Sequence, residues 1–207
     1  MPVIGVLALQ GAFIEHIKKL RQVGVDAREI RLPDQIEELD GLIIPGGEST
    51  TIGKLIDRFE LRQPIVDLVH AGRPVWGTCA GMILLAHDVD EDTRARSQPL
   101  LDLMDLKVRR NAFGTQLDSF ETDLDIPVVA DTPIHAVFIR APIISSVGPD
   151  VEVLSRLDNG QIVAARQRNL VATSFHPELT EDDRLHRWFA ELASETSTQL
   201  AHATGAA

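Results

Sequence analysis

Residues Pro74–Ala86 read PVWGTCAGMILLA: an apolar run, a turn of small residues and a second apolar run. The run Pro74–Trp76 predicts a short strand that Gly77 ends, and Ala80–Ala86 predicts an apolar helix. Between them, Gly-x-Cys-x-Gly has the form of a nucleophile elbow, in which small residues permit a sharp strand-to-helix turn. The segment therefore predicts one unit of an α/β fold, with Cys79 raised above the sheet as a candidate nucleophile.

Two earlier segments repeat this pattern. Val3–Leu9 predicts a strand, and the amphipathic stretch Phe13–Val23 predicts a helix. Gly41–Ile44 then ends at the Pro45–Gly47 turn and leads into Ser49–Phe59, whose apolar residues repeat at helical spacing. Because strands that alternate with helices form parallel sheets covered on both faces, we expect such a sheet here.

The second half of the chain predicts closely spaced strands that extend the sheet in antiparallel fashion. These strands are expected around Val108 and Phe120 and over Ile126–Ala130, Ala136–Ile139, Val151–Leu157, Ile162–Ala165 and Val171–Phe175. A closing helix is predicted over Asp182–Leu192. We expect a single domain over residues 1–193 and a flexible tail over 194–207, where no apolar face is present.

One acidic segment, Asp88–Arg96, is predicted to be a mobile surface loop. His87 and the Asp90–Asp92 carboxylates are residue types that bind metals. A run of charges is more often a solvated loop than a metal site, so we expect the loop.

Composition limits the classes of function. The 207 residues carry a formal net charge of −11, and Lys and Arg form no stripe that would neutralise nucleic-acid phosphates. The longest apolar runs fall short of the roughly 18 residues that cross a bilayer. A single cysteine cannot form an internal disulfide, and the first strand begins close to Met1, without space for a signal peptide. We therefore expect no nucleic-acid partner, no membrane span and a cytoplasmic location.

A candidate base and its orienting carboxylate follow the last predicted strand, in Ser174–Glu178 (SFHPE). Ligands bind at the carboxyl ends of strands in open α/β sheets, so Gly46–Gly47, Cys79 and His176 would meet at one edge. His176 would act there as acid and base, with Glu178 orienting it. The helix after Cys79 would add unpaired NH groups and partial positive charge that stabilise an oxyanion.

Each of these three side chains also has a purely structural explanation. A lone cysteine is commonly inert packing, His176 could be a core histidine, and Glu178 could cap a helix. The glycines around Cys79, and the position of the His-x-Glu pair after a strand, favour catalysis.

These residues resemble the class I, or triad, glutamine amidotransferase family, in which a cysteine attacks the side-chain amide of glutamine. Within that family, the chain is similar to the glutaminase subunits of pyridoxal 5'-phosphate synthase. The motifs that carry the likeness are Leu9–Gly11 (LQG), Pro45–Thr51 (PGGESTT), Gly77–Gly81 (GTCAG), Arg110–Gly114 (RNAFG), Asp118–Glu121 (DSFE), Val137–Pro142 (VFIRAP) and Ser174–Thr180 (SFHPELT). The likeness extends from Val3 to Leu192.

The resemblance implies a three-layer α/β fold whose central mixed, mainly parallel sheet is flanked by helices. It implies that Cys79 is the nucleophile, His176 the general base and acid, and Glu178 the carboxylate that orients His176. The backbone NH groups of Gly47 and Ala80 would form the oxyanion hole.

Glutamine contacts are implied by the same motifs. They would come from Gly47, Glu48, Ser49, Arg110, Ile139 and Arg140. Cationic and NH donors suit the carboxylate of an amino acid. Outside these motifs, the two arginines would be explained equally well by surface pairing with acidic residues.

The implied reaction is hydrolysis of L-glutamine to L-glutamate and ammonia through a glutamyl thioester. The ammonia would pass to a synthase subunit that makes pyridoxal 5'-phosphate from ribose 5-phosphate and glyceraldehyde 3-phosphate. L-Glutamine and that subunit are thus the expected partners, and their interface is placed near Gln10 and Gly11. Because side chains supply the nucleophile, acid and base, no metal and no cofactor are expected.

Two positions depart from the family pattern, which usually carries a basic residue at Thr115 and often one at Ile14. Neither belongs to the proposed triad, so we expect an effect on the partner interface and not on the reaction. Three rival interpretations remain: a glutaminase that serves a different synthase, a non-catalytic assembly subunit, and a cysteine peptidase or redox sensor on a related fold.

Overall fold

The computed structural model describes residues 1–110 and 119–205 of the chain. The helices are α1 (Phe13–Gln22), α2 (Ser49–Arg58), α3 (Arg62–His70), α4 (Ala80–Leu85), α5 (Glu91–Ala95) and α6 (Arg184–Gly205), with 3₁₀ turns at Pro33–Gln35 and Pro177–Leu179. The strands are β1 (Val3–Leu7), β2 (Asp26–Ile30), β3 (Gly41–Ile44), β4 (Val75–Thr78), β5 (Ala86–Val89), β6 (Met104–Arg109), β7 (Ser119–Leu124), β8 (Ile134–Ile139), β9 (Ile143–Val147), β10 (Glu152–Arg156), β11 (Ile162–Gln167) and β12 (Leu170–Thr173).

A mixed sheet forms the centre of the described chain. Its strand order is β2-β1-β3-β4-β12-β11-β9-β6-β5, and β10 pairs with β11 outside this path. The strands from β2 to β12 in that order run parallel to their neighbours, whereas β11 is antiparallel to β12, β10 and β9. The predicted mixed, mainly parallel sheet with flanking helices is confirmed.

Two apolar layers cover the faces of the sheet. Ile43 and Trp76 pack into one buried cluster together with Leu20 of α1 and Phe189 of α6. The neighbouring residues of the same strands, Ile44 and Val75, belong to the other cluster, which includes residues of α2, α3 and α4. Successive side chains of a strand point to opposite faces, so both faces of the central strands are buried, as their uninterrupted apolar sequences predict.

The sheet brings three strand ends together. β3, β4 and β12 are consecutive neighbours and run in the same direction. Gly46, Cys79 and His176 each follow one of these strands by one to three residues. The prediction that these residues meet at one edge of the sheet is confirmed.

The predicted antiparallel extension of the sheet is only partly correct, because β12 lies parallel to β4 within the central sheet. β7 and β8 pair with each other as a separate two-stranded sheet and do not extend the central one. Ile126–Ala130 was expected to form a strand but forms a turn, in which the NH groups of Val129 and Ala130 donate to the carbonyl of Ile126. Pro127 favours this turn because proline lacks the NH donor that a strand needs and fixes φ at a turn value.

The acidic segment Asp88–Arg96 is also more ordered than the predicted surface loop. β5 extends to Val89, and α5 follows it. The Asp90 side chain accepts from the backbone NH of Thr93 at 2.8 Å and thereby caps α5. The carboxylates of this segment thus start a short helix.

The closing helix does not end at Leu192, as predicted, but continues to Gly205. The reason lies in its contacts with the preceding chain. Ser197 donates to the Asp40 carboxylate, and Arg73 donates to both Asp40 and Ser197. These polar contacts stabilise a helical segment that has little apolar surface. Within residues 1–110 and 119–205, no helix is both long and apolar enough to cross a membrane.

Candidate active site

Cys79 lies in a sharp turn between β4 and α4. Its backbone has φ of 49° and ψ of −101°, a conformation that costs a non-glycine residue about 1–3 kcal/mol. The Cys79 NH donates to the carbonyl of Thr173 in β12 at 2.8 Å and so holds the turn against the sheet. A Cβ atom on Gly81 would lie 2.0 Å from the carbonyl oxygen of Ile44, and one on Gly77 would lie 2.5 Å from the backbone of Gly81. Both glycines are required by close packing, as the elbow pattern predicts.

His176 and Glu178 form a buried pair after β12. The His176 backbone NH donates to the carbonyl of Val137 in β8 at 2.8 Å, which fixes the start of the Pro177–Leu179 turn. Because a carboxylate only accepts, His176 Nδ1 donates to Glu178 Oε1, at 2.7 Å. This leaves Nε2 of His176 for the reacting groups, the arrangement expected of a base and its orienting carboxylate.

Cys79 and His176 also interact with each other. Burial lowers the pKa of His176, but hydrogen bonds with Cys79 and Glu178 outweigh this effect and raise the pKa to about 10. Burial raises the pKa of Glu178, but the neighbouring imidazoles of His16 and His176 and the His176 hydrogen bond lower it below its usual value. At neutral pH, His176 therefore holds a proton beside an ionised Glu178.

Two glycine turns form the floor next to this pair. The Ala12 NH donates to the Gly46 carbonyl at 3.0 Å, and a Cβ on Gly11, where φ is 99°, would lie 1.9 Å from that oxygen. Gln10 Oε1 accepts from the Glu48 NH at 2.8 Å and lies where a Cβ on Gly47 would have to go. The Gln10–Gly11 turn therefore fixes the backbone of the Gly46–Gly47 turn.

Glu48 and Arg110 meet on the wall of the same cleft. Glu48 caps α2 by accepting from the NH groups of Thr50 and Thr51. Partial burial raises the pKa of Glu48, but the hydrogen bonds with Thr51 and Thr50 lower it to about 2. Arg110 Nη2 lies 3.5 Å from Glu48 Oε1. Gln98 links this wall together, since its Oε1 accepts from Ser49 at 2.7 Å and lies 3.4 Å from Arg110 Nη1.

A cleft of about 560 Å³ lies over these groups. Every residue predicted for the oxyanion hole, for glutamine or for the interface contributes to its lining: Gln10, Gly11, Gly47, Glu48, Ser49, Ala80, Arg110, Ile139 and Arg140. Cys79 and His176 line it too, whereas Glu178 is buried behind His176. Asn111–Gly114 and Thr115 lie outside the described residues.

Further residues at the site were not predicted from the sequence. Gln98 joins the polar wall through its contact with Ser49. His16 of α1 and His186 of α6 lie behind Glu178, and both are fully buried. His16 and His186 are 170 positions apart in the chain, so no local pattern could indicate their pairing.

Comparisons with known proteins agree with this geometry. A model of the SNO glutamine amidotransferase family matches residues 6–195. The pyridoxal 5'-phosphate synthase subunit PdxT of Herpetosiphon aurantiacus is 59% identical over 189 residues, covering 91% of this chain and 99% of the relative. The subunit of the same name from Desulforamulus reducens is 56% identical over 190 residues, covering 92% and 98%. A crystal structure of a glutamine amidotransferase superimposes with a TM-score of 0.86 at 47% identity, covering 92% of this chain and 98% of the other. The chain belongs to the SNO glutamine amidotransferase family.

Proposed function

We propose that this protein hydrolyses L-glutamine and supplies the ammonia to the synthase subunit of a pyridoxal 5'-phosphate synthase. The observation that carries the proposal is the buried group of Cys79, His176 and Glu178, of which Cys79 and His176 line a cleft. The family to which the chain belongs supports the same chemistry. The acceptor is inferred from the relatives, which are named as PdxT subunits of pyridoxal 5'-phosphate synthase. The protein is thus a glutaminase, an enzyme of the amidotransferase class.

The first half-reaction starts from the pair in which His176 holds a proton. The Cys79 thiolate attacks the amide carbon of glutamine, and the carbonyl oxygen becomes an oxyanion that accepts from the NH groups of Gly47 and Ala80. The carbon–nitrogen bond then breaks while the nitrogen takes the proton of His176 and leaves as ammonia. A glutamyl thioester on Cys79 and a neutral His176 remain.

The second half-reaction restores the enzyme. Water gives a proton to the neutral His176 as its oxygen attacks the thioester carbon. The carbon–sulfur bond breaks, glutamate leaves, and Cys79 is again a thiolate beside a protonated His176. Glu178 keeps the imidazole in one orientation through both halves, because its Oε1 accepts from Nδ1.

Glutamine binding is assigned to the polar wall of the cleft. Arg110 and the backbone of Arg140 and Ile139 suit the α-carboxylate, and Glu48 suits the α-ammonium group, which the low pKa of Glu48 favours. Ser49 lines the same cleft. Neither a metal nor a cofactor takes part in these steps.

The acceptor subunit is expected to dock over the mouth of the cleft. Leu179 is 45% exposed and Ile139 is 37% exposed there, beside the Gln10–Gly11 turn. Burying these apolar side chains against a partner would also exclude water from the ammonia, which as ammonium would not be a nucleophile. Free Cys79 fits the reducing cytoplasm expected from the sequence. Nucleic acid and membranes are not part of the proposal.

The test is a reconstituted synthesis that contains this chain, a synthase subunit from the same source, both sugar phosphates and glutamine. Pyridoxal 5'-phosphate, followed by absorbance, should form only when this chain is present. If glutamate is released but no pyridoxal 5'-phosphate forms, although ammonium salts drive the synthase, the chain serves another acceptor. If neither product forms while ammonium salts drive the synthase, the catalytic assignment is wrong and an assembly role is favoured.

A further inference from the structure

Two buried histidines outside the proposed triad form a continuous contact chain with Glu178. Oε1 of Glu178 accepts from His176, and Oε2 lies 3.3 Å from Nε2 of His16. Nδ1 of His16 lies 2.9 Å from Nε2 of His186. Neither His16 nor His186 lines the cleft, so neither touches substrate. Glu178 is therefore contacted by an imidazole on each of its oxygens.

Both outer imidazoles are held neutral by their surroundings. Burial is the largest effect on His16 and lowers its pKa, although Glu178 and Glu15 act in the opposite direction and His176 in the same one. Burial also lowers the pKa of His186, and the neighbouring His16 and Lys19 act in the same direction. A neutral imidazole carries one NH group and one acceptor nitrogen.

The position of each proton follows from the fact that Glu178 is ionised. Nε2 of His16 faces Oε2 of Glu178 and lies 3.2 Å from Oγ1 of Thr78. A lone pair on this nitrogen would face a carboxylate oxygen across 3.3 Å, which is repulsive, so Nε2 carries the proton. Nδ1 of His16 is then an acceptor, and His186 must donate its Nε2 proton to it. This leaves Nδ1 of His186 without a proton. That atom and Oε2 of Glu178 are both buried without a hydrogen-bond partner among the described residues, so the 3.3 Å approach of His16 Nε2 to Oε2 is an electrostatic contact and not a hydrogen bond.

We propose that His16 and His186 are positioning residues for Glu178, each held as the neutral Nε2–H tautomer. In this chain His186 donates to His16, and the Nε2–H group of His16, which is hydrogen-bonded to Oγ1 of Thr78, lies against Oε2 of Glu178. Together with the His176 hydrogen bond, this chain places an NH group beside each oxygen of the carboxylate and restricts its rotation. Trp76 packs edge-on against both outer rings and restricts their rotation. The catalytic consequence rests on the proposed glutaminase function, whereas the tautomers do not.

The direct test is the protonation pattern of the histidines in the full chain. Two-bond proton–nitrogen correlation spectra of protein with ¹⁵N-labelled histidine distinguish the two neutral tautomers from the imidazolium form. We expect His16 and His186 to carry the proton on Nε2 and to be neutral at pH 7. His16→Gln and His186→Gln assign the signals. A proton on Nδ1 of either ring, or an imidazolium at pH 7, would overturn the proposal.

Kinetics in complex with the synthase subunit test the role. His16→Leu removes the NH group beside Glu178 and should lower kcat for glutamate release about ten-fold, as expected for loss of a favourable electrostatic contact with a buried carboxylate, with KM for glutamine unchanged. His16→Gln places an amide NH near the position of Nε2 and should restore most of kcat. Equal losses in both folded variants would contradict the role.

His87→Gln is the matched control. The His87 side chain is 63% exposed, so this substitution should leave kcat unaltered. If the unaltered chain shows no glutaminase activity, the proposed function fails, while the tautomer measurement still decides the inference.

Discussion

Gly46 and His176 are in such close contact that a Cβ atom on Gly46 would lie 2.4 Å from Cε1 of the imidazole. The same atom would lie 3.3 Å from the Cβ of Cys79. Gly46 is buried against both residues, so its backbone determines where the imidazole stands relative to the thiol. The glycine turn at Gly46 therefore shapes the site around Cys79 and His176.

We predict that Gly46→Ala lowers kcat for glutamine hydrolysis by at least about a hundred-fold, because a displacement of about 1 Å at a reacting group costs that much. Glutamate release in complex with the synthase subunit measures it. Gly72→Ala is the control: no atom lies within 4 Å of the added Cβ, although φ is 82°. It should reduce stability by about 1–2 kcal/mol without lowering kcat. Full activity in folded Gly46→Ala would refute the proposed position of His176.

Glu178→Gln should make the enzyme lose activity at a lower alkaline pH than the unaltered protein. Burial lowers the pKa of His176, and hydrogen bonds with Cys79 and Glu178 together raise it to about 10. Removing the charge of Glu178 takes away part of this increase, so His176 loses its proton at a lower pH. The alkaline limb of kcat/KM should move from about 10 toward the ordinary value of 6.5. An alkaline limb that stays in place would show that Glu178 does not control His176.

Arg110→Gln should raise KM for glutamine about ten-fold and leave kcat nearly unchanged. A charge-assisted bond to the substrate carboxylate contributes to binding in both the ground state and the transition state. Steady-state kinetics over a range of glutamine concentrations measures the two constants separately. Arg109→Gln, a change at the exposed neighbour, is the matched control and should alter neither. A fall in kcat at constant KM would assign Arg110 to the chemistry instead.

Ser197→Ala should lower the free energy of unfolding by about 1 kcal/mol, because Ser197 connects α6 to Asp40 and Arg73. Urea unfolding curves measure this change as a shift of the midpoint at constant slope. Thr198→Ala is the comparison, since the Thr198 hydroxyl donates to the Ser194 carbonyl of its own helix and to no other group in the described part of the chain. Equal midpoints for the two variants would contradict the stabilising role of this contact.

The parts of the fold that could be predicted are those with strong local periodicity. α1 and α2 have apolar residues at helical spacing, and β3 and β4 are short buried apolar runs next to glycine turns. Their predicted boundaries agree with the structure to within two residues. The elbow at Cys79 was predictable for the same reason, because small residues on both sides of it permit few alternatives.

Other elements gave weak signals. β2 reads DAREI and has only two buried residues, Ala27 and Ile30. It therefore shows neither the alternation of apolar and polar residues nor the continuous apolar run that indicates a strand. α3 begins with Arg-Gln-Pro and lacks a side-chain cap, although proline is compatible with the first turn of a helix. In both cases, packing against the sheet decides the structure, and a single sequence does not display that packing.

The site followed the same division. His176 and Glu178 are two residues apart in the sequence. Cys79 and His176 each follow a parallel strand, so the parallel arrangement of strands was enough to bring them together. His16 and His186 come from helices at opposite ends of the chain, and only the packing of α1 against α6 makes them neighbours. Their roles depend on contact with Glu178, which no spacing rule predicts.

The central claim is that Cys79 takes the amide of glutamine and passes ammonia to a synthase. Its most direct test is Cys79→Ala in the reconstituted complex, with pyridoxal 5'-phosphate formation measured from glutamine and from ammonium salt in parallel. We predict that synthesis from glutamine is lost while synthesis from ammonium salt continues at the rate seen with the unaltered chain. Synthesis from glutamine that survives the substitution would show that Cys79 is not the nucleophile.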